Sequence, residues 1–515
     1  MMLFSKRRLF LALGFFKAVF CFGGQTQEKP YFIFEDYHQY IPIAATTAAA
    51  GYLAYEYMQV PEVPVIQVKD LAVEKVNFPS NFLWGVATSS TQNEETSFNN
   101  TWSKDYTKTI PGKENVKVPS FACYGYQQWQ DDIDKVAHLG CNSYRFSIEW
   151  SRVQPTIDSF DQSVIDHYVE IVKYCRDRNI QPMVCLHHYS DPIWFMACGG
   201  FTKSENIGLF TMFCKKMYEA LRPYVNQWIV ISQPVAYALK SYKVGLMPPY
   251  LSNSGLEDIV ILNMFKAHIA VYDVMHNSYN RTKLGLNPQV GICHQIVQMK
   301  ASRWWMPLDG IAAYFANRLN NETFLRFFKT GYLESLIPMK TIAYIPQAPT
   351  KFDFFALSYY SSLAFTGISA GAPMTLESLQ AADGFRIIDK AGMYDAIVQA
   401  SQLGKPIYVV ENGINPKSEE QRKVHLNSYL SAISKAITDG YDVRSYQYWT
   451  LMDDYEWSNG KIFEGDSQPD AQFGLYKNRV INQKNGTLYS DFTDHSNMLK
   501  ESGLYYKNII ALQQA

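Results

Sequence analysis

Six short apolar runs in this 515-residue chain end on a side chain that could do chemistry: Glu149, His188, Gln233, Tyr360, Glu411 and Asp453. Every strand must end somewhere, so one such residue means little, but six suggest a shared site. Glu411, which ends YVVE, is a carboxylate able to attack a carbon centre or accept a proton. Gln233, which ends WIVISQ, is an amide and can only donate or accept a hydrogen bond. His187 and His294 are possible bases, although nothing in the sequence fixes where they point. The ten histidines form no HExxH or comparable ligand spacing, and no glycine-rich phosphate loop follows a strand. No metal and no cofactor is therefore expected.

The elements that must carry these residues read clearly. Apolar runs at 82–88, 142–150, 181–188, 227–233, 289–297, 352–360, 406–412 and 441–453 predict eight strands. Helical segments separate most of them. In the one over 161–180, Ile165, Tyr168, Ile171, Val172 and Cys175 share a face at the 3.6-residue period. Eight strand–helix units predict an α/β fold, a closed (β/α)8 TIM barrel whose chemistry sits at the carboxyl ends of the strands. Neither a repeat nor a Pro/Gly/Ser linker divides the body. One barrel domain is expected over 77–515, preceded by an extension over 1–76.

Composition narrows the function classes. With 47% hydrophobic and 18% charged residues, the chain can bury a large core and is not a disordered one. Its net charge of −1 supplies no positive field to gather nucleic acid, so that partner is excluded. The eight cysteines form no CxxC pair and suit free, mostly buried thiols. In the extension, Lys6, Arg7 and Arg8 precede an apolar stretch broken by Lys17, and a second stretch spans 41–58. Both suggest membrane association through residues 1–60, or export, with a cytoplasmic protein as the alternative.

The strand ends also carry a pattern. The chain resembles glycoside hydrolase family 1, the retaining β-glucosidases and β-galactosidases built on an eight-stranded barrel. FLWGVATSSTQNEE, YRFSIEWSRVQP, LHHYSDPIWF, YVVENGI and YQYWTLMDDYEW occur in the family's order. The resemblance implies that Gln92 and His188 contact the sugar, Arg145 lies near the nucleophile, and Glu411 is that nucleophile. It makes Trp449 the platform tryptophan, Glu456 and Trp457 residues that grip distal hydroxyls, and Tyr360 the tyrosine beside the nucleophile. The fourth strand departs. Where the family carries Asn–Glu–Pro, this chain has Ser232–Gln233–Pro234, and Ser358 replaces the asparagine of the sixth strand. Gln233 thus stands where the general acid/base would be, and Ser232 where an asparagine would hold the sugar's 2-hydroxyl.

A retaining glycosidase uses two carboxyl groups about 5–5.5 Å apart, and Gln233 removes one of them. Glu149, Glu94 and Glu95 are read as structural rather than as substitutes. The family's myrosinases carry glutamine at the acid/base position and cleave thioglucosides, so Gln233 alone does not imply inactivity. Two expectations follow. One is an atypical glycosidase or transglycosidase that works through Glu411 on a β-glycoside, oligosaccharide or glycolipid. The other is a catalytically inactive sugar-binding or protein-interaction module. The RWWMP run at 303–307 is either an aglycone platform or a hydrophobic loop closing the barrel.

Overall fold

The computed structural model describes residues 78–94, 99–113, 122–334, 341–371, 387–457, 472–478 and 498–514. All of them lie in the compact unit spanning 60–515. Eight parallel strands close into a barrel: β1 (Leu83–Ala87), β2 (Ser143–Ser147), β3 (Gln181–Cys185), β4 (Gln227–Ile229), β5 (Gln289–Gln295), β6 (Phe354–Ser358), β7 (Ile407–Asn412) and β8 (Val443–Trp449). β8 pairs with β1 to complete the ring, with Leu83 opposite Ser445 and Ala87 opposite Trp449. The expected (β/α)8 architecture is the one observed.

Strand alternation sorts the side chains into two cores. Tyr144, Phe146, Val184, Trp228, Val290, Phe355 and Val409 point outward and pack with the helices. Met183, Cys185, Ile229, Cys293, Phe354, Ala356, Tyr408 and Val410 fill the barrel interior. Gly85 shows how tight that interior is. A Cβ there would lie 2.0 Å from the Gln447 amide oxygen and 2.4 Å from the Ser143 carbonyl. Only glycine lets β1 pass so close.

Helices cap these strands in ways the sequence explains. Asp161 accepts from the backbone N–H groups of Ser163 and Val164 and starts helix Gln162–Asp177, whose buried face is the predicted one. The carboxyl-terminal helix Glu501–Gln514 packs across the closing seam, where Tyr506 donates 2.9 Å to the Gly85 carbonyl. Just before that helix, Lys500 pairs with buried Asp453 at 2.6 Å.

Two expectations change here. The expected membrane association is corrected: among the described residues, no helix is long and apolar enough to cross a membrane. The longest, Ser254–Thr282, has 29 residues but carries Glu257, Asp258, Lys266, Asp273 and Arg281 along it, whereas a span needs about 20 predominantly apolar residues. Residues 1–60, which suggested the attachment, lie outside the described residues. The tryptophans of the 303–307 run do not close the barrel. Trp304 and Trp305 are 56% and 61% exposed and stand nearly perpendicular to each other.

Candidate active site

Glu411 lies near the carboxyl end of β7, opposite Ser358 of β6, and is buried. Three donors converge on it. Arg145, pointing inward from β2, binds Oε1 through Nη1. Tyr360, two residues past β6, donates to Oε2 at 3.1 Å, and the Gln233 amide nitrogen donates to the same oxygen at 2.7 Å. Arg145 also reaches the Ser232 hydroxyl through Nη2 at 3.1 Å. Burial is the largest influence on Arg145 and opposes its charge, but the Glu411 charge and hydrogen bond, with the neighbouring Cys185 and Cys293, together hold the guanidinium pKa above its ordinary value.

Gln233 itself is held at both ends. It adopts a left-handed backbone conformation (φ 46°) as N-cap of the short helix Pro234–Ala238. Its amide oxygen accepts a 2.7 Å hydrogen bond from Tyr189. Tyr189 also has a left-handed backbone (φ 64°) and packs against Trp457 and Tyr237. Burial pushes its phenol well up, with Glu411 adding to the shift, so the hydroxyl keeps its proton. The sequence reading passed over Tyr189, although it directly follows His188 in LHHYSDP.

Around this centre lie the other expected residues. His188 Nε2 is 4.0 Å from Glu411 Oε1. Burial, then the Arg145 charge, drives the His188 pKa well down, so the ring is neutral. Its ring faces Trp449 at 5.8 Å and Trp457 at 6.2 Å. Trp457 packs against Trp102 at 4.6 Å, and half-buried Glu456 precedes it. Gln92 sits nearby but is engaged by the protein: Ser89 donates to its oxygen at 2.7 Å, and its nitrogen donates to the Tyr455 carbonyl. Cys293 lies between Ser232 and Ser358, 3.8 Å from each hydroxyl.

The alternative carboxylates and bases lead elsewhere. Glu149 accepts from the hydroxyls of Ser90, Thr91, Ser151 and Ser190, between 2.7 and 3.3 Å. Glu94 pairs with Arg152 and accepts from Tyr168, and Glu95 lies outside the described residues. His187 is tied to Asp191 at 3.1 Å. His294 stacks on Phe324 outside the barrel, and burial lowers its pKa to about 3. The pair Arg145–Glu411 with neutral Gln233 therefore gives a site that can present one carboxylate to an electrophile and donate hydrogen bonds, but cannot pass a proton from residue 233. Among the described residues, no group of three or more His, Cys, Asp and Glu could hold a metal ion.

Comparison with known proteins agrees with this architecture. The beta-glycosidase from Pyrococcus horikoshii is 30% identical and superposes with a TM-score of 0.72, over 85% of this chain and 96% of its own. A beta-glucosidase from Thermotoga maritima in complex with glucoimidazole shares the fold at 24% identity, with a TM-score of 0.70 over 86% and 100% of the two chains. By sequence, the 1,4-beta-D-glucan glucohydrolase of Thermotoga neapolitana is 25% identical over 84% of this chain and 98% of its own. The 6-phospho-beta-galactosidase of Clostridium acetobutylicum is 26% identical over 84% and 97%. The description of glycosyl hydrolase family 1 matches residues 74–515, barrel and site together, and the chain belongs to that family.

Proposed function

We propose that this protein is an atypical β-glycosidase or transglycosidase in which Glu411 attacks the anomeric carbon and no ordinary general acid/base assists. The observation that carries this reading is the buried Glu411 carboxylate, oriented by Arg145 and Tyr360 at the carboxyl end of the barrel. In this reading His188, Trp449, Glu456 and Trp457 bind the sugar, with Gln92 and Ser232 beside them. The substrate class is a β-glucoside or β-galactoside, as an aryl glycoside, oligosaccharide or glycolipid. Replacing the acid/base by Gln233 forgoes assistance typically worth about 10²–10⁴-fold.

A second reading, an inactive sugar-binding or protein-interaction module, is favoured by the 2.7 Å contact between Gln233 and Glu411. The group that would serve the leaving oxygen instead caps the nucleophile. A 2-fluoro glycoside with a dinitrophenyl leaving group separates the two. Intact mass should rise by one fluoroglycosyl unit, mapping to Glu411. Folded protein that takes no label from glucosyl, galactosyl or mannosyl probes is the module.

A further inference from the structure

Outside the barrel, helices Thr323–Thr330 and Lys390–Ser401 flank a cleft of about 280 Å³ that shares no residue with the Glu411 site. That is just under the roughly 300 Å³ at which ligand pockets begin, and it suits a molecule the size of one sugar ring. Its first wall is fixed before any ligand arrives. Between helices Pro307–Asn317 and Thr323–Thr330 the chain makes one turn of π-helix, Arg318–Glu322, a widened turn frequent at functional sites. There the buried Asn321 side chain accepts from the Val297 backbone N–H at 3.2 Å. It donates to the Val297 carbonyl and to Asn317, each at 2.8 Å. The wall is thereby tied to the loop that follows β5.

The second wall has hydrogen-bonding capacity left over. Gln399, which lines the cleft, donates to the Gln298 amide oxygen at 3.3 Å. Among the described residues, the Gln399 amide oxygen and the Gln298 amide nitrogen have no partner, although both atoms are shielded from solvent. Gln298 as a whole is 8% exposed. Turning both amides over exchanges their roles and still leaves one donor and one acceptor open. The charges around the cleft are already matched. Glu322 pairs with Arg318 at 3.2 Å and Arg326 with Glu334 at 2.8 Å, while Lys329 stands at the exposed rim and donates to Gln402 at 3.5 Å. Leu325 and Leu403 supply apolar surface.

We infer that this cleft is a second binding site, for a neutral polyhydroxylated molecule the size of one sugar ring. A hydroxyl donates and accepts at once, so it answers the open Gln399 oxygen and the amides of Asn317 and Gln402, while ring C–H groups cover Leu325 and Leu403. Neutrality follows from the charge pairing. An anion or a cation entering the cleft meets no unmatched charge behind the rim among the described residues, and it still has to shed its water. The site does not depend on Glu411 or on what that carboxylate does.

Hydrogen–deuterium exchange of the full chain, read by mass spectrometry, locates binding without any variant. With glucose or galactose at about tenfold excess over its Kd, segments 317–330 and 399–403 should exchange roughly tenfold more slowly, because each opening must first release the ligand. Leu403→Trp, which fills the cleft, should abolish that protection and leave any sugar-dependent change around Glu411 in place. Gln399→Leu should weaken binding roughly fivefold, and it takes over where Leu403→Trp does not fold by circular dichroism. No protection of these segments by either sugar at millimolar concentrations overturns the inference and leaves a cleft that holds only water. Protection that survives Leu403→Trp overturns it too, since the sugar then binds elsewhere. Protection by glucose 6-phosphate but by neither neutral sugar overturns the assignment of a neutral ligand.

Discussion

Glu411 receives donors from Arg145 on β2, Gln233 after β4 and Tyr360 after β6, so one strand and two loops position a single carboxylate. Asp454 is its opposite. It is buried, and among the described residues neither carboxyl oxygen has a side-chain hydrogen-bond partner. Burial raises its pKa well above the carboxylate range, and Glu456 and Asp453 add to the shift. The folded state therefore holds a proton that the unfolded state releases above pH about 3.9. The stability this proton contributes is present in acid and is lost as pH rises toward the folded-state pKa. Asp454→Asn should raise stability at pH 7 by at least about 1 kcal/mol and change it little near pH 4, as read by denaturant unfolding at both values. An equal effect at both pH values would mean that the proton is not the cause.

At the scale of elements, the barrel loops are tied by polar hubs as well as by apolar packing. Glu149 caps the short helix Trp150–Val153 and accepts hydroxyls from the loops after β1, β2 and β3. Removing its carboxylate strands four buried donors at once. Glu149→Ala should cost roughly 3 kcal/mol or more in urea unfolding, with Glu149→Gln recovering part of the loss. A near-neutral Glu149→Ala would show that these bonds are not stabilising. The carboxyl-terminal helix works alongside a similar tie. Burial lowers the Lys500 pKa to about 8 and raises that of Asp453, so the pair holds its geometry against desolvation rather than by charge alone.

At the scale of the whole molecule, the site spans strands that are far apart in sequence, and a ligand in it bridges β2, β4, β6 and β7. Binding should therefore stabilise the barrel as a unit. Deoxynojirimycin, bound by the Thermotoga maritima beta-glucosidase, is a suitable probe. At a hundredfold excess over its Kd it should add about 2.7 kcal/mol, with tryptophan fluorescence and far-UV circular dichroism shifting together. A shift in one signal alone would mean that only the loops respond. No shift across millimolar concentrations would mean that the pocket does not take this sugar shape.

The sequence by itself determined the barrel, because eight apolar strands separated by amphipathic helices have few ways to bury both faces. It also put His188, Gln233, Tyr360 and Glu411 at strand ends, which converge in that fold, whereas Arg145 was singled out only by the family resemblance. Local patterning could not decide partners across the barrel. Tertiary packing alone put the Gln233 amide on Glu411, gave its other end to Tyr189, and tied up Gln92 with Ser89 and the Tyr455 carbonyl. It settled Glu149 as a hub and turned His187 and His294 away from the site. It left Trp304 and Trp305 in solvent. The physical reason is that strand periodicity fixes which face a side chain occupies, whereas a hydrogen-bond partner depends on which loops closure of the ring brings within about 3 Å.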